Sequence, residues 1–554
     1  MLKQDSQEAL VHNTTSTNSR ARVVMTGFSR FVKRRYVRAA LILGILPILS
    51  VIVTCAVDGH FLWDVSILNS ELNDELYYYK LVEGILHGGY PYGFFGYNES
   101  HANILSFAAW SPFLLLPWVL YGFVFGWHLY SPIVANILFM SLAMIAYGLL
   151  VKPSKKQIGV LTLLFFMFRP FARFMLSAMP EITCMSILIV FYGFYCHDVK
   201  TGSESQPKSK KNRDLVMMFV LSALLTLMRP YFGLLLLLPC IKWIRQKRLQ
   251  GSVGSLLILL TVGLSYLLIQ KMFTAAYFTP IYDTKWLQVF TEEGVLQGLH
   301  NILFKVYYQG KIFLSIIMEA IPSEDFAGAY FCAFAATTLI LIIYSFSCWR
   351  SKQREAFYFH LYLTGCCLAM LFAIFLMYPS MQESSKHLLM FSALSIFVIS
   401  NMKTRFYKKP VFVGVVFAFF FLYRVNDFYE YQIPYIDEAT RERHLAWATI
   451  FDNQLELTKA PVPSYQNVVI WAFEAETTDG REQLEWQILY ALPEGFGINC
   501  CMLNYLETQK ENLQSRYIAV HADSNLDLLY QQSGYKEIGR KGDSVVYERP
   551  ESMS

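Results

Sequence analysis

Long apolar segments recur between residues 39 and 424, and they constrain the fold of this chain more than any other feature. A hydrocarbon core of roughly 30 Å needs about 20 apolar residues per spanning helix, and a helix satisfies its own backbone hydrogen bonds in lipid. Hydrophobic residues make up 55% of the 554 positions and charged residues only 16%, a balance that argues against a soluble multidomain protein. We therefore predict a polytopic α-helical membrane protein.

About eleven apolar segments are expected to cross the membrane. Their predicted ranges are 39–57, 132–151, 158–176, 182–195, 215–227, 231–243, 253–273, 327–349, 357–378, 388–400 and 411–423. Basic residues fall in short clusters between these segments, so the net charge of +5 indicates topology and argues against a nucleic-acid partner. The arginine-rich segment 1–38 is expected to remain in the cytoplasm, ahead of a retained signal anchor.

The segment 104–127 is long enough to cross but is interrupted by Pro112 and Pro117. Five basic clusters follow it, at 152–156, 200–213, 242–248, 350–354 and 403–409. All five face the cytoplasm if the segment lies in the membrane surface, and all five face outside if it crosses. Because cytoplasmic loops carry the excess of lysine and arginine, we predict an in-plane helix whose tryptophans lie at headgroup depth.

This topology divides the chain into a membrane domain, 39–425, and an extracytoplasmic tail, 426–554. The membrane domain carries two large outside loops, 58–131 (with the in-plane helix) and 274–325. In the tail, short β-rich runs replace the long apolar ones. We predict strands at 468–473, 486–492, 517–521 and 544–548, and helices at 504–513 and 525–532. The tail is thus expected to form a small α/β domain.

Acidic residues gather on the outside face close to membrane depth. Asp74 and Glu75 follow the first apolar segment, Glu99 comes later in the same loop, and Glu181 follows Pro180 at the mouth of an apolar helix. Carboxylates near lipid cost free energy unless they face water, a cation or the interior of the bundle. They are either solvated loop acids or members of a site.

Basic residues occur at the same predicted depth. Arg169, Arg173 and Arg229 lie near the outer ends of apolar segments, and Lys386 and His387 open another. Each arginine alone could extend its guanidinium to lipid headgroups. As a set, they are suited to bind a phosphate or pyrophosphate, because guanidinium groups contact phosphate oxygens bidentately.

Outward acids beside outward cations favour one type of reaction, in which an acceptor hydroxyl attacks a sugar held on a lipid phosphate. A carboxylate takes the proton of the hydroxyl as general base, and the cations stabilise the departing phosphate.

The order of these features resembles the GT-C superfamily of polyprenyl-phosphate-sugar-dependent glycosyltransferases, which includes protein O-mannosyltransferases and bacterial aminoarabinose transferases. A basic amino end and one apolar helix precede NDELYYYKLVEGILHGGYP and an aromatic amphipathic segment. In such enzymes the first outside loop opens with an Asp-Glu pair, then a Tyr and a Gly-x-Pro-like turn. The matching residues here are Asp74, Glu75, Tyr78 or Tyr79, and Gly89-Tyr90-Pro91.

The resemblance implies further roles. Glu181 stands where relatives often carry a second acid, usually Asp, and Lys386-His387 loosely matches a late basic-aromatic pair. Glu99 and His101 stand where some relatives place residues that hold phosphate or a metal. No cofactor is required, but a divalent metal is an option that rests on these two side chains. An extracytoplasmic α/β tail is also common in the superfamily.

The leading hypothesis is an inverting glycosyltransferase of the cell membrane, with Asp74 as general base and Glu181 orienting acceptor or sugar. Its expected partners are a polyprenyl-phosphate-linked sugar donor, a glycan, lipid or protein acceptor, and the bilayer. A transporter or flippase of lipid-linked glycans would need similar outward cations, but such proteins often show paired halves, and the sequence shows no such symmetry. A polymerase or ligase that uses diphosphate-linked oligosaccharides is the third possibility.

Overall fold

The computed structural model describes residues 35–69, 73–89, 93–99, 112–202, 208–273, 285–319, 326–377, 381–403, 406–410, 412–414, 416, 433–459, 464–478, 480–484, 486–509 and 512–550. The membrane part is helical. Its helices are α1 (Arg35–Val57), α2 (Asn73–Gly88), α3 (Leu116–Phe125), α4 (Ser131–Val151), α5 (Lys155–Met167), α6 (Pro170–Met175), α7 (Glu181–Gly202), α8 (Lys208–Met228), α9 (Gly233–Gln246), α10 (Arg248–Phe273), α11 (Lys285–Glu292), α12 (Val295–Glu319), α13 (Phe326–Arg350), α14 (Arg354–Met377) and α15 (Met381–Ser400).

Six helices in the described part of the chain are long and apolar enough to cross a membrane, namely α1, α4, α7, α10, α13 and α14. The predicted polytopic helical class is confirmed. Helices α8, α9 and α15 cover three more of the predicted segments. The predicted segment 411–423 lies mostly outside the described residues.

The predicted segment 158–176 is not one helix. It divides into α5 and α6, and Phe168 and Arg169 lie between them. Pro170 is the first residue of α6, where its fixed φ and missing N–H are tolerated, although they would disrupt the interior of a longer helix. Arg169 therefore lies at the break and Arg173 in the short helix after it, so neither is inside a continuous apolar helix.

Helix α3 occupies the predicted in-plane segment and has 10 residues, so at about 1.5 Å per residue it is too short to cross the bilayer. Its tryptophan environment differs from the expectation. Trp118 and Trp127 are buried, and their indole N–H groups donate to Asn136 Oδ1 at 3.0 Å and to the Tyr79 carbonyl at 3.2 Å. These two rings therefore connect α3 to α4 and α2 instead of facing headgroups.

The tail forms an α/β domain around one six-stranded sheet. Its elements are α16 (Glu438–Gln454), β2 (Val468–Ala472), β3 (Glu474–Thr477), β4 (Gly480–Gln483), β5 (Gly497–Cys501), α17 (Leu503–Gln509), β6 (Tyr517–His521), α18 (Asn525–Gln532), β7 (Lys536–Lys541) and β8 (Ser544–Glu548). Strands β5, β2 and β6 are parallel, whereas β8 and β7 are antiparallel at one edge. β3 and β4 pair as a separate hairpin.

Three of the four predicted tail strands are confirmed, and the fourth is wrong. Residues Trp486–Ala491 form a 3₁₀ helix that ends before Pro493. A short apolar run has no periodicity that separates a buried strand from a buried helical turn. Strands β5 and β7 were not predicted.

The first outside loop contributes a strand to the sheet of the tail. Residues Phe95–Tyr97 form β1, which pairs in parallel with β5 at the sheet edge, from Phe95 opposite Ile498 to Tyr97 opposite Cys500. The loop and the tail, which the sequence assigned to separate domains, therefore share one hydrogen-bonded sheet.

Glu99 strengthens this connection. Its buried carboxylate accepts hydrogen bonds from the backbone N–H of Gln514 at 2.9 Å, and from the N–H and the hydroxyl of Ser515, both at 2.7 Å. The structure places the Glu99 carboxylate against these donors of the tail. Its role in binding phosphate or a metal stays a prediction.

Helix α2 contacts the tail through a second polar group. Lys80 Nζ and the Glu83 carboxylate form a buried ion pair at 3.0 Å. Lys80 also donates to the Phe496 carbonyl at 3.1 Å, and the Gly495 N–H donates to Glu83 at 3.1 Å. Because each charge has both an opposite charge and a backbone partner, the pair can be buried at this contact.

We predict that Glu99→Ala weakens the attachment of the tail. The substitution leaves the backbone N–H of Gln514 and the buried N–H and hydroxyl of Ser515 without their acceptor, at a cost of about 2–3 kcal/mol. Hydrogen exchange of the full-length protein should become faster at 512–517, and thermal unfolding should begin at a lower temperature. Glu442→Ala, on the exposed side of α16, is the matched control. Unchanged exchange in Glu99→Ala would contradict this role.

Candidate active site

The acidic candidates lie at the starts of helices. Asp74 and Glu75 are in the first turn of α2, and Glu181 is the first residue of α7. Negative charge is favoured at a helix N-terminus, where backbone N–H groups point outward. Arg229 precedes the 3₁₀ turn Pro230–Phe232, at the end of α8. The acidic and basic candidates therefore both lie at helix ends, where side chains can project between helices.

Arg229 and Glu181 form an ion pair through Arg229 Nη2 and Glu181 Oε1, and both side chains are fully buried. Arg229 Nη1 also lies 3.2 Å from His387 Nδ1 and donates to the Tyr231 hydroxyl at 3.3 Å. Since a guanidinium can only donate, His387 Nδ1 is the acceptor in this contact. The arrangement fixes α7, α8 and α15 around one buried charge pair.

Glu75 and Arg173 form the second pair, with Glu75 Oε1 3.5 Å from Arg173 Nη1. Burial raises the pKa of the Glu75 carboxyl to about 7; Arg173 lowers this pKa, while Asp74 and Glu181 raise it further. The carboxyl therefore exchanges its proton near neutral pH. Its interactions with Asp74 and Glu181 also connect the first loop electrostatically to α7.

Tyr78 belongs to the same group. It is buried, and its pKa lies well above the usual value because of burial and the nearby charges of Asp74 and Glu181, with Arg229 acting in the opposite direction. Asp74 differs from its neighbours because it is only half-buried. We define the acid–arginine cluster as Asp74, Glu75, Tyr78, Arg173, Glu181, Arg229 and His387.

Several buried polar atoms of the cluster have no hydrogen-bond partner among the described residues. They are Glu75 Oε2, Glu181 Oε2 and Arg173 Nε. Buried polar atoms in proteins are nearly always hydrogen-bonded, so unsatisfied ones point to a bound group or to function. Both donor and acceptor atoms are present, which suits a ligand that carries hydroxyl and oxyanion groups.

Arg169 has a different partner. Its Nη2 lies 2.9 Å from Asp58 Oδ2, which also accepts a hydrogen bond from the Tyr435 hydroxyl at 2.8 Å. Tyr435 belongs to the connection between membrane part and tail, where Val65 and Tyr435 form a β-bridge. The structure thus assigns Arg169 to the contact between the end of α1 and this connection.

The structure does not describe the side chains of two predicted site residues. His101 lies outside the described residues, and Lys386 is part of α15 without a described side chain. Glu99 is held by the tail, as shown above. Within the described ranges, no group of three or more His, Cys, Asp or Glu side chains could hold a metal ion.

Four residues near these charges were not predicted from the sequence: Asp58, Tyr231, Tyr435 and Tyr490. Asp58 directly follows α1, and Tyr231 follows the Arg229-Pro230 pair, so both had a local signal. Tyr490 is a buried residue of the tail whose pKa is raised by burial and then by the charge of Glu75. No local pattern predicts that a tail residue reaches the first loop.

The comparisons with known proteins identify the fold. A search of solved structures found ArnT, a GT-C aminoarabinose transferase, from Cupriavidus metallidurans bound to undecaprenyl phosphate, at 11% identity and a TM-score of 0.50, covering 92% of this chain and 98% of that one. The chain has a GT-C fold. No protein-family model matches this chain, and no curated protein has a matching sequence.

Two further solved structures were found. The Archaeoglobus fulgidus oligosaccharyltransferase in the apo form has 14% identity and a TM-score of 0.45, over 94% of this chain and 75% of that one. Apo ArnT from Cupriavidus metallidurans has 10% identity and a TM-score of 0.42, over 92% and 98%. The apolar helices and the GT-C fold together make this chain a membrane protein.

We predict that Glu75 makes the stability of this protein depend on pH. Its folded pKa of about 7 lies above the ordinary 4.5, so the folded state binds the proton more tightly. The resulting stability is fully present below about pH 4.5 and is lost as pH rises through 7. The melting temperature should fall by several degrees between pH 5 and pH 8, and Glu75→Gln should reduce this fall.

The control for this measurement is Glu442→Gln, whose side chain is exposed on α16. It should retain the wild-type dependence of the melting temperature on pH. If Glu75→Gln shows the same dependence as wild type, the carboxyl does not titrate in this range.

Proposed function

We propose that this protein is an inverting membrane glycosyltransferase that moves a sugar from a polyprenyl-phosphate-linked donor to an extracytoplasmic acceptor. The observation that carries the proposal is the acid–arginine cluster, in which carboxylates and guanidinium groups from four separated segments share one buried site. The GT-C fold supports it, since ArnT, with a similar fold, is bound to undecaprenyl phosphate.

Asp74 is the proposed general base. It is half-buried at the start of α2, so an acceptor hydroxyl can approach it from outside, whereas Glu75 is fully buried against Arg173. Asp74 takes the hydroxyl proton while the oxygen forms a bond to the anomeric carbon. The bond from that carbon to the phosphate oxygen breaks on the opposite face, which inverts the configuration.

Arg173 and Arg229 are the proposed partners of the phosphate, together with Lys386 and His387. Each arginine is already oriented by a carboxylate, so its guanidinium is held in place before the ligand binds. Fixed donors stabilise charge on the leaving phosphate without reorganising during the reaction. Glu181 orients Arg229 and, with its second oxygen, a hydroxyl of sugar or acceptor. Arg169 remains a weaker candidate because Asp58 holds it.

The proposed topology places this chemistry on the outer face of the cell membrane. Segment 1–38 is cytoplasmic, 39–425 forms the membrane domain, and 426–554 lies outside together with the loops 58–131 and 274–325. The shared sheet of β1 and β5 supports a common side for the first loop and the tail, because paired strands must lie in the same compartment. The acceptor is a glycan, a lipid or a protein.

We predict that Asp74→Asn reduces sugar transfer by roughly 10²–10⁴-fold, since removal of a general base typically has this effect. Membranes containing the variant would be given polyprenyl-phosphate sugars radiolabelled in the sugar, and label in new products would be counted. Glu75→Gln should reduce transfer less, because its proposed role is to hold Arg173. Glu442→Gln is the control for expression and folding.

The outcomes separate the alternatives. Wild-type turnover in a folded Asp74→Asn protein would remove Asp74 from the role of base, and loss only in Glu75→Gln would transfer that role to Glu75. If wild type moves labelled donor across the bilayer without forming a product, the protein is a transporter. If only diphosphate-linked donors compete with the substrate, it is a polymerase or ligase.

A further inference from the structure

A cavity of about 810 Å³ lies at the end of the bundle remote from the acid–arginine cluster. Helix α15 runs from the cluster to the cavity. His387 near its start contacts Arg229, and Asn401 just after its end lines the cavity. At about 1.5 Å per residue the two ends lie roughly 20 Å apart along the helix. The cavity is therefore distinct from the proposed active site.

The lining of the cavity favours an anion. Lys403 and Lys409 supply positive charge, and Ser347 and Ser351 supply hydroxyl groups that can donate hydrogen bonds. No described lining residue is Asp or Glu. With charged donors and without carboxylates, this lining attracts a phosphate group and repels none of its oxygens.

Three basic clusters of the sequence converge at this cavity. Residues from or beside the segments 152–156, 350–354 and 403–409 line it, namely Ser154, Ser351, Gln353, Lys403 and Lys409. Other described basic residues of these segments, among them Lys155 and Lys352, add to the positive charge of this part of the chain. Glu355 directly follows the segment 350–354, but its side chain is exposed and does not line the cavity.

Hydrogen bonds between elements hold the walls of the cavity in place. Gln157 Nε2 of α5 donates to the Asn401 carbonyl at 3.2 Å and to Asn401 Oδ1 at 2.9 Å. The backbone N–H of Lys403 donates to the Tyr344 hydroxyl of α13 at 3.1 Å. A ligand would therefore meet a formed site and would not have to order the walls on binding.

We propose that this cavity binds the phosphate-bearing headgroup of an anionic lipid. Its volume lies within the range of about 300–1,000 Å³ found for small-molecule sites, which is more than a single phosphate ion fills. Basic pockets between membrane helices are suited to anionic headgroups. The phosphate ester is the chemistry that the site recognises, and a soluble phosphate compound would use the same donors.

The test is a binding measurement on the full-length protein in neutral detergent. Native mass spectrometry would count bound phosphatidic acid, with phosphatidylcholine as the zwitterionic comparison and glycerol 3-phosphate as the soluble phosphate ester. The double variant Lys403→Gln/Lys409→Gln should bind phosphatidic acid roughly tenfold more weakly than wild type, as loss of charge-assisted contacts predicts. Lys403→Arg/Lys409→Arg should keep the affinity.

The charge-matched control is Lys271→Gln/Lys541→Gln, two exposed lysines that do not line the cavity. This control should bind like wild type, which separates the cavity from general charge effects and from lipid at the proposed active site. Competition by glycerol 3-phosphate would show that the soluble ester shares the site. Equal binding of phosphatidic acid to wild type and to Lys403→Gln/Lys409→Gln would overturn the proposal.

Discussion

The ion pair of Arg229 and Glu181 is fully buried, and the rest of the site must supply the polar groups that make its burial possible. Two charges removed from water are costly unless they face each other and further polar groups. His387 and Tyr231 supply those groups to Arg229, and the charge of Glu181 reaches Glu75 and Tyr78 of the first loop. Helices α7, α8 and α15 and the start of α2 are therefore held around one site of paired charges.

The tail completes this arrangement from outside the bundle. It receives β1 and Glu99 from the first loop and contacts α2 through Lys80 and Glu83. Because the same helix carries Asp74 and Glu75 at its start, the attachment of the tail determines where these carboxylates lie relative to Arg173. The tail thus acts as a structural part of the candidate site.

The sequence predicts which residue types gather at these helix ends better than it predicts their partners. Asp74, Glu75 and Glu181 attracted notice because acids beside apolar segments need a compensating group. Which arginine compensates which acid depends on helix packing, and so the Arg173–Glu75 and Arg229–Glu181 pairs could not be predicted. The partners of Glu99 could not be predicted for the same reason, since they lie 415 and 416 positions further along the chain. Helical segments were predictable from long periodic runs, whereas Trp486–Ala491 was too short to classify.

We propose that the acid–arginine cluster binds a lipid phosphate beside Asp74. A cryo-electron microscopy structure of the full-length protein with added polyprenyl phosphate would locate the phosphate. We expect its density within hydrogen-bond distance of the Arg173 or Arg229 guanidinium, with the Asp74 carboxylate facing the same space. Phosphate bound elsewhere, with the contacts of the cluster unchanged, would show that the cluster is not the phosphate site.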